Sequence, residues 1–201
     1  MPSAAQATCS KCGATMLTTT ASRTGGLCMA CKLGIREHID AAKVYYQQQR
    51  QPDPFRDFWT SLVHRVHGAP DGFYRLSHPE QTYYLGTVLQ GEVFNGGIGL
   101  FFDNSSGDFY RETLAALQEL GATRCHELLV AAKQVLFPHR DPPRDQAARY
   151  DMMPQYPDAA DAPRPDWDLE LERISDEFYS DPDQLFDRLR RYALDHQLVR
   201  I

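Results

Sequence analysis

Residues 77–97 read SHPEQTYYLGTVLQGEVFNGG. Ser77 and Glu80 stand in the S-x-x-E relation of a capping box, which starts a helix by satisfying its first backbone amides. Tyr84, Val88, Leu89 and Val93 then run down one side at helical spacing. Asn95-Gly96-Gly97 should stop it, because these residues accept the left-handed turn that ends a helix. The same grammar extends in both directions. Upstream, Asp53 is placed as an N-cap with Pro54 at the first helical position, and Phe55, Phe58, Trp59, Leu62, Val63 and Val66 form a broad apolar face. Downstream, a third helix is expected from Asp108 through Leu114 and Leu117 to Gly121. A fourth carries Cys125, Leu128, Leu129, Ala132 and Leu136 before Pro138, with Cys125 reading as a small buried hydrophobe. Residues 138–166 hold seven prolines and read as a long irregular crossover. Two closing helices follow, one with Trp167, Leu171, Ile174 and Phe178 on one face, the other capped by Asp181 with Pro182 and burying Leu185, Phe186, Leu189 and Tyr192. No run of alternating strand residues interrupts this body, so the fold class is mainly α: a compact helical domain at 53–201.

The N-terminal 33 residues are built differently. Cys9, Cys12, Cys28 and Cys31 fall as C-x2-C, fifteen residues, then C-x2-C, the spacing of a zinc ribbon in which two knuckles complete a tetrahedron of thiolates. Four thiolates leave no open position, so the expected role of zinc is structural, replacing an apolar core that so short a segment cannot assemble. Some β-structure is expected here and nowhere else. A helical connector over 34–52, with Ile35, Ile39, Ala42 and Tyr46 on one stripe, leads to the body.

Charge divides the same way. The 201 residues carry a formal charge of −6, yet residues 1–51 hold six basic and two acidic side chains while the remainder hold 15 basic and 25 acidic. A basic head on an acidic body speaks to partners rather than to fold, and the acidic body argues against direct DNA binding. The first residues have neither a basic n-region nor an apolar h-region, and no stretch approaches the ~18 apolar residues of a membrane helix. The chain reads as soluble and cytoplasmic.

Catalytic signatures fail. His126-Glu127 begins H-E-x-x-H, but Val130 stands where the second histidine should be. His64 and His67 lie i, i+3 without a carboxylate pair on their face, and no Walker, G-x-G-x-x-G or G-x-S-x-G string exists. A non-enzymatic role is expected.

The run GEVFNGGIGLFFDNS at 91–105 resembles the signature of a bacterial family of DNA-mimic proteins: a glutamate, Asn-Gly-Gly, a paired aromatic and an asparagine. The resemblance continues through LAALQELGATRCHELLVAAKQVLF and WDLELERISDEFYSDPDQLFDRLRRYA and spans Pro54 to Tyr192. Ile98, Gly99 and Leu100 depart from the aromatic and glutamine that many members show after Asn-Gly-Gly. Glu92, Asn95, Gly96, Gly97 and Asn104 match the motif and read as structural, with the glycines supplying a positive-φ turn and Glu92 bonding to freed amides. The resemblance implies a helical domain whose acidic surface copies duplex DNA and occupies the basic surface of a DNA-binding protein, or caps a nuclease toxin as an immunity protein. The zinc ribbon is an addition to that domain.

Charge counting gives the resemblance a location. Between Asp151 and Asp187 twelve acids face only Arg164 and Arg173. Asp166, Asp168, Glu170, Glu172, Asp176 and Glu177 are the expected partner-binding residues, in rows ~5–6 Å apart on a helix. A two-fold homodimer would bring such rows closer to the charge density of duplex DNA. The alternative is a zinc-ribbon regulator that touches nucleic acid or protein through Lys11, Arg23, Lys32 and Arg36, with the body as a dimerisation or interaction module.

Overall fold

The computed structural model describes residues 5–49, 52–157 and 163–200; Gln51, Asp158 and Asp161 lie outside them. The chain divides into two compact units, Met1–Asp53 and Pro54–Ile201.

In the first unit, β1 (Gln6–Thr8) pairs antiparallel with β2 (Thr15–Leu17), Ala7 opposite Met16. Three helices follow: α1 (Thr18–Thr24), α2 (Met29–Lys32) and α3 (Arg36–Gln49). The buried core consists of Cys9, Cys28 and Cys31, with Met16, Leu27 and Ala30 packed around them. So little apolar area does not hold a fold by itself. On α3, Tyr46 of the expected stripe is exposed.

The second unit begins with α4 (Pro54–His67), which buries Phe55 and Leu62 and stacks Trp59 on Tyr84 at 5.5 Å between ring centroids. The central helix is α5 (His78–Gly96). Its start is closed as the sequence indicates: the Glu80 carboxylate accepts from the Ser77 N–H at 2.8 Å and from its hydroxyl at 2.9 Å. Gly97 ends it at φ +83°, a conformation that side chains with a Cβ avoid. The chain does not leave the core there. It turns straight into α6 (Ile98–Asp103), a helix too short to show a period in the sequence, which places Ile98, Phe101 and Phe102 in the interior. Each such burial stabilises by roughly 1.5–3 kcal/mol, which is why six residues persist as a helix.

A 3-10 turn at Ser105–Phe109 precedes α7 (Tyr110–Glu119), so this helix starts two residues after the expected Asp108. Asp108 lies in that 3-10 turn, where its carboxylate accepts from Arg149 at 2.7 Å. The helix ends at Leu120 with Gly121 at φ +67°, and α8 (Thr123–Leu136) follows. Cys125 is buried on it, as expected for a small hydrophobe.

The crossover is not wholly irregular. Residues 146–152 form α9 (Gln146–Met152), begun by Asp145, whose Oδ1 accepts from Ala148 N–H at 2.8 Å. Its sequence has no apolar stripe, since its buried residue is the fully enclosed Arg149. After it come α10 (Asp166–Tyr179), burying Leu171, Ile174 and Phe178, and α11 (Leu185–Asp195). Two expectations fail on α11. The helix begins at Leu185 rather than directly after Asp181, because Asp181 and Gln184 both take positive φ in the intervening turn, and the Asp181 carboxylate reaches forward to Leu185 N–H at 2.9 Å. Phe186 points outward at 53% exposure, its ring 5.5 Å from the Arg190 guanidinium, and Ala193 takes the core position instead. Around α5, the core is made by α6, α7 and α11, with α10 lying on α8.

Candidate functional site

The four sulfurs of Cys9, Cys12, Cys28 and Cys31 converge, all within 4.8 Å of one another. None is in a disulfide. The Cys28 N–H donates to Cys9 Sγ at 3.2 Å, the Cys31 N–H to Cys28 Sγ at 3.4 Å, and the Arg36 guanidinium to Cys28 Sγ at 3.3 Å. The Cys28 amide holds the Cys9 thiol down at about 6, and Arg36 lowers that of Cys28. Burial and the neighbouring thiols push Cys31 up to about 12. Four sulfurs this close cannot all ionise without a cation among them, and the donor set is one that could hold a metal ion. Arg36, counted in the basic head, is turned inward to this cluster and to Asp40 at 3.3 Å. Lys11, Arg23 and Lys32 remain exposed.

The signature residues tie three helices together. Glu92 on α5 does not bond to freed amides as expected; its carboxylate accepts from Asn104 Nδ2 at 2.8 Å and from Ser106 Oγ at 3.1 Å. The Ile98 N–H, just beyond Gly97, donates to Ser175 Oγ on α10 at 2.9 Å. A Cβ at position 97 would stand 3.0 Å from that oxygen, so Gly97 serves both its own φ and the approach of α10. Asn95 is exposed in the last turn of α5.

On α10 the six expected acids separate into three pairs by their partners. Glu170 accepts from Arg173 at 2.7 Å, and Glu177 accepts from Arg124 of α8 at 2.6 Å. Those arginines hold both carboxyls below their ordinary range. Asp168 and Glu172 share Arg164, at 2.7 and 2.8 Å, and Asp168 also accepts from the Tyr156 hydroxyl at 2.6 Å. Asp166 and Asp176 have no arginine partner among the described residues. The row Asp168, Glu172, Asp176 borders a groove of about 700 Å³ whose floor includes Gly96, Gly97 and Ser175, so the signature turn and half of the acidic helix meet in one place.

Several functional-looking acids prove to be fasteners. Asp183 accepts from the Cys125 N–H at 2.7 Å and so caps α8 from a distant loop. Glu119 accepts from Tyr192 and Thr82 and pairs with His78. Ser106, Arg149, Ser175 and Asp183 carried no signal in the sequence, because each acts on a partner remote along the chain.

The family model for DMP19-like proteins matches residues 74–196, more than half of the chain. The chain belongs to the DMP19-like family. The match takes in α5 to α11 and leaves α4 and the cysteine unit outside. DMP19-like proteins are DNA mimics and in general are not enzymes. Comparison with curated proteins finds no match, and comparison with solved structures finds none. Among the described residues of this DMP19-like chain, no helix is long and apolar enough to cross a membrane.

Proposed function

We propose that the acidic helical domain masks the basic nucleic-acid-binding surface of a partner protein in the cytoplasm, restraining a DNA-binding regulator or capping a nuclease toxin. The observation that carries this reading is α10 itself. In a domain of the DMP19-like family, residues 163–187 hold nine acids against two arginines, and none of the six carboxylates named above is fully buried, whereas Leu171, Ile174 and Phe178 are. Acids three or four residues apart stand ~5–6 Å from each other. Duplex DNA carries one charge per ~1.7 Å of axis, so a single helix is a sparse copy and a two-fold homodimer would raise its density. Arg164 leaves the row Asp168, Glu172, Asp176 net negative, whereas Arg173 and Arg124 balance Glu170 and Glu177.

The head contributes zinc binding in this reading. A tetrahedral zinc with Zn–S near ~2.3 Å places its sulfurs about 3.8 Å apart; Cys12 and Cys28 are already 3.7 Å apart. With four protein ligands the ion is closed to substrate, and its contribution is to the folding of a unit with almost no other core. A regulator that grips nucleic acid through the head is the second reading. It rests on the exposed Lys11, Arg23 and Lys32, and it predicts that their replacement by Ala abolishes duplex binding by the full chain.

The decisive experiment is kinetic. Carboxylates that stand in for phosphates steer a basic partner at long range, so association should be fast and fall steeply with salt. Replacing Glu170, Glu172 and Asp176 with Gln, Gln and Asn should slow it and flatten the salt dependence while helicity is unchanged. A triple variant that binds a partner captured from the native cell as fast and as tightly as the parent, at every salt concentration, removes the reading.

A further inference from the structure

The groove between α6, α9 and α10 is chemically lopsided. Four carboxylates border it, those of Asp103, Asp168, Glu172 and Asp176, against one cation, Arg164. Flat aromatic surface supplies much of the rest: Tyr156 and Trp167 have ring centroids 4.8 Å apart, and Tyr150 and Tyr179 complete the wall. An anion would be repelled by this lining, and a neutral apolar ligand would strand the carboxylates. A cation that is also planar satisfies both halves, since guanidinium stacks on aromatic faces and forks onto carboxylates, whereas an ammonium is a compact point charge.

The chain already demonstrates the fit. Arg164 spans Asp168 and Glu172 at 2.7 and 2.8 Å with its side chain still 52% exposed, so a guanidinium is accommodated at one end of a groove far larger than one side chain needs. Asp176 remains without an arginine partner further along the same row. Asp103, on the opposite wall, has its carboxyl pushed up by surrounding protein that only partly screens it with Arg149; an added cation would relieve that cost.

We infer that this groove receives arginine side chains from the basic partner, and that Arg164 is an internal occupant which the incoming guanidinium displaces or joins. The inference rests on the mimicry reading and sharpens it. A DNA mimic with only a diffuse charged face would treat all acids on α10 alike, whereas a groove makes Glu172 and Asp176 count for more than Glu170.

The test uses the full chain and a fluorescein-labelled peptide of two arginines flanked by glycines, with the citrulline analogue as the neutral isostere. Binding is read by polarisation, and occupancy of the groove by the indole N–H resonance of Trp167. Glu172→Gln and Asp176→Asn should each weaken binding about tenfold, the change that one charge-assisted contact of ~1.4 kcal/mol represents. Glu170→Gln, with the same charge change outside the groove, should weaken it less than about twofold, as expected of a screened surface charge. Arg164→Ala should tighten binding while Arg173→Ala, which removes the same charge from the other side of α10, should do so far less. The Trp167 resonance should shift with the arginine peptide and stay still with citrulline. Equal effects of Glu170→Gln and Glu172→Gln, together with equal effects of the two arginine replacements, would overturn the groove while leaving charge mimicry intact. No effect from any of the five replacements would overturn both.

Discussion

Replacing Arg149, a wholly enclosed side chain, with Met keeps an unbranched chain as far as the position of Nε and removes the guanidinium head with its charge. Five acceptors depend on that guanidinium: the carbonyls of Phe102 at 2.8 Å, Asn104 at 2.6 Å, Pro143 at 2.9 Å and Arg144 at 2.7 Å, and the Asp108 carboxylate at 2.7 Å. These come from α6, the turn that follows it, and the start of the crossover, so one side chain joins segments far apart in sequence. Each buried acceptor stripped of its donor costs ~1–3 kcal/mol, and four carbonyls lose theirs while the Asp108 carboxylate, 35% exposed, is partly re-solvated, so a loss of ~3–5 kcal/mol is expected, against a total stability of ~5–15 kcal/mol for a native protein. For a chain of this length each kcal/mol lowers Tm by roughly 2–4 °C, so a fall of about 6–20 °C is expected in a circular-dichroism melt of Arg149→Met. Gly107 supplies a second handle, because a Cβ there would lie 2.7 Å from Arg149 Nε and 3.0 Å from the Phe101 carbonyl oxygen. Gly107→Ala should therefore also destabilise, by displacing the guanidinium. With Met at position 149 the guanidinium that a Cβ at 107 would displace is already absent, so its hydrogen bonds cannot be lost twice and the double variant should lose less than the sum of the single losses. A loss under ~1 kcal/mol for Arg149→Met, or strict additivity of the pair, would refute the account of Arg149 as the fastener of the crossover.

Arg65 beside Glu80 holds that carboxyl down at about 2, below the ordinary ~4.3. The group's contribution to stability is therefore complete above about pH 5 and lost as pH falls towards 2, and Glu80→Gln should flatten that part of the stability curve measured by urea unfolding. Purified protein should carry about one zinc ion per chain, and Cys28→Ser or a strong chelator should unfold residues 9–31 while the far-ultraviolet signal of the helical body persists; metal analysis at zero zinc would remove the ribbon. Ser77→Ala should cost about 1 kcal/mol through the start of α5, read as a shift in the urea midpoint.

The sequence by itself determined the helical class, the two-part organisation of its composition and the cysteine cluster, because each rests on short-range rules. The capping residues at Ser77 and Glu80, the apolar stripes of α5, α8 and α10, the glycine ends at Gly97 and Gly121, and the doubled C-x2-C act within one or two turns of chain and can be read without knowing what lies opposite. The stretch at 98–103 was illegible as a helix because its apolar residues are buried on more than one side and its length gives no period to measure. The helix at 146–152 was illegible for the opposite reason: its buried residue is an arginine, acceptable inside the protein only because acceptors from distant segments surround it. Phe186 looked like core and is not, since the turn at 181–184, with two residues at positive φ, sets the rotation of α11. Six carboxylates on α10 could be counted in advance as one charged face. Only the tertiary structure divided them, turning Glu170 and Glu177 towards Arg173 and Arg124, setting Asp168, Glu172 and Asp176 with Arg164 along a groove that the signature turn also lines, and leaving Asp166 outside it, because the direction of a side chain on a helix is local but what it meets there is decided by the packing of elements remote in sequence.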